Sequence, residues 1–209
     1  MYKAEIRSLI KNLLPKYDKN AKYHNLVVDT AIGKVLQQAY NEVWVADPLA
    51  LQRFTKRYGD TTLIAVTLDA SANIYYSSYP ARIVPIPDKA SGVRRITTRQ
   101  QGGMTFHPLD NREVELVASG SFFNTVTNKV GYIPTLERIE YYNMSTAIAD
   151  IGVRMDLLVD FSEYADTDVV LIPEVAGGEE AFVMRVLSML AVIPPVDLSD
   201  NNKDSIREQ

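Results

Sequence analysis

The sequence predicts an α+β fold, on three observations. Apolar residues recur every three or four positions through the first sixty residues. Alternating and β-branched runs, cut by turn residues, fill the stretch 61–175. A helical period then returns after Gly177-Gly178. Helices first, antiparallel strands next and one helix last differ from the strand–helix alternation of a parallel sheet. The expected organisation is a helical region over 1–60, a β-rich region over 61–175 and a C-terminal helix over 176–196 that packs back. A polar tail over 197–209 has the composition of a disordered end.

The first helix follows from Tyr2, Ile6, Leu9, Ile10, Leu13 and Leu14, with Lys3, Glu5, Arg7 and Lys11 on the other face. Pro15 is expected to end it, because a proline pushes the preceding residue out of the α region. The second helix has the strongest pattern. Leu26, Val28, Ile32, Val35, Leu36, Ala39, Tyr40 and Val43 form one broad apolar stripe, and Gly33 inside it marks a closely packed neighbour. Asp47-Pro48 then breaks and restarts the chain, since aspartate caps a helix and proline suits its first position. The short helix from Pro48 is expected to present Leu51, Phe54 and Tyr58, closed by Gly59-Asp60.

Strands are expected over 61–68 and 74–79 around the turn Asp69–Asn73, with a short one over 81–84 limited by Pro80, Pro85 and Pro87. Val93–Thr98 is the next, followed by the loop Gln100–Gly103. Asp110 with Glu113 makes a capping box for a short helix through Val117. Further strands are expected near 130–133, 135–142, 152–161 and 168–172. The last helix opens with Glu179 and Glu180 at its positive end, buries Phe182, Val183, Val186, Leu187 and Leu190, and stops at Pro194-Pro195.

Composition narrows the function classes. The chain of 209 residues is 46% hydrophobic and 23% charged, which is the balance of a soluble globular domain. It has no cysteine, so disulfides, thiol nucleophiles and thiolate metal sites are excluded. No run reaches the ~18–20 apolar residues needed to cross a bilayer, and Met1–Glu5 lacks the pattern of a secretory signal. The net charge is −4, yet residues 1–58 hold ten Lys/Arg against five Asp/Glu. A chain gripping nucleic acid over its whole surface would be basic throughout.

Motifs for catalysis are weak. Gly102-Gly103 leads into Met-Thr-Phe-His-Pro and Gly177-Gly178 into two acids, so neither is a phosphate loop. His24 and His107 are the only histidines, and no Gly-x-Ser-x-Gly elbow accompanies them. The pairs Glu113/Glu115, Glu137/Glu140 and Asp156/Asp160 read as solvated or salt-bridged acids. Asp166-Thr167-Asp168 lacks the glycine and glutamate of a calcium loop. The expectation is no catalytic residue, no metal and no cofactor. A basic cluster, Arg82, Lys89, Arg94, Arg95 and Arg99, is offset within its own stretch by Asp88 alone. It reads either as a subunit- or phosphate-facing patch or as a set of internal salt bridges. Trp44 and Tyr40 join it as candidate interface residues, since aromatic side chains are enriched at interfaces.

Three stretches in order carry a resemblance. They are Ala31-Ile32 through Asp47-Pro48-Leu49-Ala50-Leu51-Gln52-Arg53-Phe54-Thr55-Lys56-Arg57-Tyr58, then Ile74-Tyr75-Tyr76-Ser77-Ser78-Tyr79-Pro80 through Arg94-Arg95-Ile96, then Tyr164-Ala165-Asp166-Thr167-Asp168 through Pro173-Glu174 with its Gly-Gly-Glu-Glu continuation. Together, over roughly residues 26 to 192, the chain resembles neck ring, or head-to-tail connector, proteins of short-tailed, crAss-like bacteriophages. Its plan is also similar to that of podovirus tail tubular proteins. The resemblance implies a non-enzymatic virion protein that is assembled in the host cytoplasm. Its copies, usually twelve, would form a homo-oligomeric ring against the portal or a neighbouring neck ring, with double-stranded DNA passing through the lumen and no membrane partner. The alternatives are a small carboxylate-dependent hydrolase and a nucleic-acid-binding module using the Arg82–Arg99 patch.

Overall fold

The computed structural model describes residues 1–17, 23–100, 102–110, 112–114, 129–174 and 178–190. It is an α+β fold with helices at the N-terminus and one near the C-terminus. Four α-helices are described: α1 (Lys3–Tyr17), α2 (Asn25–Ala46), α3 (Thr146–Ile151) and α4 (Gly178–Met189). The strands are β1 (Lys56–Tyr58), β2 (Thr67–Asp69), β3 (Ile74–Ser78), β4 (Val93–Thr98), β5 (His107–Pro108), β6 (Gly131–Pro134), β7 (Arg138–Tyr142) and β8 (Val153–Leu157). They form a three-stranded antiparallel sheet in the order β1-β8-β4 and a five-stranded sheet in the order β2-β3-β7-β6-β5. The β5–β6 pair alone is parallel among these.

One hydrophobic cluster draws on every layer. Ile6, Ile10 and Leu14 come from α1, and Val28, Ile32, Val35, Leu36 and Tyr40 from α2. Val93, Ile96, Val153, Met155 and Leu157 come from the smaller sheet, Tyr132, Ile139 and Tyr141 from the larger, and Val186 and Leu187 from α4. Burial alternates along β7 and β8, as period 2 requires of a half-buried sheet. The N-terminus is tied to the far end of the chain. Lys3 is 5% exposed, its Nζ donating to the carbonyls of Tyr164 (2.7 Å) and Ser162 (3.2 Å) and lying 5.2 Å from the Phe161 ring centroid.

Several elements depart from the sequence reading. α1 runs through Pro15 to Tyr17. Proline's fixed φ is itself helical, and so near the end its missing N–H costs a single intrahelical bond. Leu26 is 69% exposed, outside the buried stripe, because on the helical period it lines up with exposed Thr30 and Lys34 and not with buried Val28 and Ile32. His24 caps the first turn of α2 through Nδ1, which accepts from the Leu26 N–H at 3.3 Å. The helix after Pro48 is a 3-10 turn over Ala50–Phe54, and Tyr58 sits on β1 instead. Gly59 allows this change, with φ at +96 and a backbone so close that an added Cβ would fall 2.5 Å from the Val153 carbonyl oxygen.

The run 61–68 is mostly a crossing between the two sheets. Only Ile64 pairs on the way, with Val153, before β2 begins at Thr67. The expected strand over 168–172 is a single bridge from Val169 to Tyr2, because α1 starts one residue later and leaves nothing more to pair with. The capping box is present, with Asp110 Oδ1 accepting from the Glu113 N–H and Glu113 Oε2 from the Asp110 N–H, both at 2.8 Å. The helix it opens beyond Val114, the stop at Pro194-Pro195 and the polar tail lie outside the described residues.

Candidate interface surfaces

A β-bulge decides what the basic cluster becomes. Register along β4 and β8 pairs Val93 with Leu157 and Arg95 with Asp156, so Arg94 is the extra residue between two successive pairs. Arg94 thus turns away from its neighbour. Its side chain is 8% exposed, its Nη2 donates to Asp88 and to the Ser91 carbonyl, and its charge lies near Tyr132. Lys89 is held by Glu113 at 3.1 Å. Arg99 donates Nη2 to the Asp60 carbonyl at 3.2 Å. Arg82 and Arg95 are exposed and form no ion pair among the described residues. The five residues therefore do not make one patch: two are held in intramolecular ion pairs, Arg82 stands beside Asp160 beyond the Leu157 end of β8, Arg95 is level with Asp156, and Arg99 lies beyond the Val153 end.

Arg95 belongs to a charged row that crosses the smaller sheet. Arg57 on β1 and Arg95 on β4 flank Asp156 on the central strand β8, and Arg154 follows on the same face. Arg57 and Arg154 are ninety-seven positions apart, and only the β1–β8 pairing brings them together. Nothing in their local sequence announces it.

The aromatic candidates separate in the same way. Tyr40 is fully buried, its ring tilted against Phe54 at 5.9 Å, and burial pushes its hydroxyl well above the ordinary tyrosine range. It is a core residue, out of reach of any partner in this fold. Trp44 is half-buried against the core and keeps an outward edge.

Of the paired acids, Glu113, Glu140, Asp156 and Asp160 are committed to intramolecular work, and Glu115 lies outside the described residues. Asp156 accepts from Arg57 at 2.7 Å, Glu140 from Arg138 at 2.8 Å, and Asp160 caps the turn at Ser162 at 2.8 Å. Lys56 and the Ala165 N–H hold the Asp168 carboxyl below its ordinary range. Among the described residues, no group of three or more metal-ligating side chains is assembled. No helix among them is long and apolar enough to cross a membrane.

Apolar surface collects at the two ends of α2. At its start, Leu26 and Val27 with Met189 and Leu190 of the α4 end line a groove of about 300 Å³. At its finish, Val45 and Leu49 are 76% and 75% exposed. A helix rises about 1.5 Å per residue, so Leu26 and Val45 stand roughly 28 Å apart. The sequence stripe placed Leu26 inward and left Val45 and Leu49 unremarked. The signal for Val45 was that it is apolar and falls off the 3.6 period of the buried face, whereas Leu49 lies beyond α2, just ahead of the 3-10 turn. No protein-family model matches the chain, and no curated protein matches its sequence.

Proposed function

We propose that this chain is a structural subunit of a closed ring in the neck of a short-tailed bacteriophage, one that joins the portal to the tail and extends the DNA channel. The observation that carries the reading is the pair of unlike apolar surfaces at opposite ends of α2, Leu26/Val27 and Val45/Leu49. A cyclic ring repeats one heterologous joint, so each subunit needs two different patches that meet across it. Exposed apolar clusters rimmed by polar residues mark such contacts.

The phage setting rests on the three resembling stretches described above, which imply twelve copies stacked on the portal or on a neighbouring ring. The net charge of −4 agrees with a channel wall that does not brake DNA, since tight phosphate contacts would hold the duplex in place. Quantitative mass spectrometry of purified virions tests the proposal by counting this chain against the portal protein. A ratio near one to one is expected, and absence of the chain from the particle overturns the reading.

A further inference from the structure

The charged row on the smaller sheet takes no part in the joints proposed above. Arg57 spends its guanidinium on Asp156, with Nε donating at 2.7 Å and Nη2 at 3.3 Å. Arg154 lies against Asp60, with Nε 2.5 Å from Oδ1, and donates Nη2 to the Arg99 carbonyl at 3.1 Å. Arg95, on the other side of Asp156, is exposed and without an ion pair among the described residues. Four guanidiniums, those of Arg57, Arg95, Arg99 and Arg154, therefore meet two carboxylates. Two charges are left over, that of Arg99, whose Nη2 is held by the Asp60 carbonyl, and that of Arg95.

The Arg95 charge lines a cleft of about 120 Å³, walled by Arg57, Arg95, Arg154, Asp156, Thr97 and Gly103, in which the Asp156 carboxylate is already taken by Arg57. The Gly103 wall is held tightly on β4. An added Cβ there would lie 2.2 Å from Thr98 Oγ1, and the Met104 N–H donates to that same oxygen at 3.1 Å. The cleft is thus bounded by sheet on one side and a close-packed turn on the other. Arginine presents planar, paired N–H donors that match the oxygens of a tetrahedral anion, and its charge strengthens each bond.

We infer that this cleft is a binding site for an oxyanion of the phosphate class, gripped by Arg95 and flanked by Arg57 and Arg154. Free phosphate and a backbone phosphodiester share that chemistry, and the inference does not depend on the ring reading.

The test uses the full chain, its Arg95→Gln variant and, as a control for general surface charge, Lys34→Gln on the exposed face of α2. Circular dichroism first establishes that both variants fold. Calorimetric titration with inorganic phosphate, at ionic strength balanced by chloride, is run beside fluorescence anisotropy with a labelled DNA duplex over a salt series. Saturable phosphate binding that weakens by about tenfold in Arg95→Gln and not in Lys34→Gln supports a site for the free anion. Duplex binding whose salt slope falls by about one in Arg95→Gln alone supports the same site on a backbone phosphate. Absence of saturable binding by either probe, or equal behaviour of the two variants, overturns the inference.

Discussion

Arg94 and Asp88 are locked together beneath the surface: a single guanidinium nitrogen, Nη2, donates to both carboxylate oxygens, at 2.9 and 2.7 Å. Their neighbour Arg95 faces solvent. Two arginines adjacent in the chain thus do different work, and the bulge in β4 is the cause. Removing Arg94 leaves the partly exposed Asp88 carboxylate with the Ala90 N–H in place of its cation, which costs about 2 kcal/mol. An exposed side chain away from such features moves stability by no more than about 0.5 kcal/mol. Urea denaturation of Arg94→Ala is therefore expected to show the larger loss and that of Arg95→Ala almost none. Equal midpoints for the two variants would contradict the burial of Arg94.

Gly33 is the second case in which position decides the sign of a change. It lies mid-helix on the buried face of α2, opposite the turn that begins at Asp160. An added Cβ would sit 3.6 Å from Phe161 Cβ and 3.7 Å from the Asp160 carboxylate oxygens, ordinary van der Waals distances. The neighbour is there, yet it leaves room for a methyl group. Alanine is favoured over glycine in a helix interior by about 1 kcal/mol. Gly33→Ala is expected to raise the thermal midpoint by about 2–4 °C for a chain of this size, read by calorimetry. A lowered midpoint would mean that Phe161 does not tolerate the contact.

The Asp69 carboxyl is held down to about 2, first by the Ser71 hydroxyl and then by Arg138. Ser71 Oγ donates to it at 2.6 Å and the Arg138 guanidinium at 3.1 Å, closing the β2–β3 turn. A folded-state value below the unfolded value of about 3.9 means the ionised form is preferred in the fold. The stabilisation is complete above about pH 4 and is lost as pH falls towards 2. Thermal midpoints measured across that window are expected to fall less steeply for Asp69→Asn than for the unaltered chain. Parallel curves would show that Asp69 contributes nothing there.

The legible parts of the fold were those set by local pattern. The apolar stripe of α2, the capping box at Asp110 and Glu113, and the strand Val93–Thr98 each depend on residues within one or two turns of one another. The elements that escaped depend on partners far away. Tyr58 looked helical by its spacing from Leu51 and Phe54, but β8 was waiting to pair with it through Met155. The short helix α3 carried its own marks, Ser145 ahead of it and Gly152 behind at φ +76, which a search for caps alone would have found. The charged row was invisible for the deeper reason that Arg57, Arg95 and Arg154 belong to three strands. Only register, which no single stretch of sequence encodes, sets them side by side.

The ring proposal makes its sharpest prediction through mixing. If the joint is heterologous, the Leu26/Val27 surface of one copy meets the Val45/Leu49 surface of the next. A charge placed at Leu26, as in Leu26→Asp, then blocks one side of a subunit, and Leu49→Asp blocks the other. Both positions are largely exposed, so each variant should fold with a stability change within about 0.5 kcal/mol. Either variant alone has lost one half of every joint and is expected to remain monomeric by native mass spectrometry. Mixed together, the two still own one intact pair of surfaces between them. They should form a heterodimer and stop there, since both outer faces of that dimer are blocked. An isologous contact predicts otherwise, because its two halves are the same patch, and mixing would then restore nothing. Rings persisting in both single variants would place the joint elsewhere on the surface.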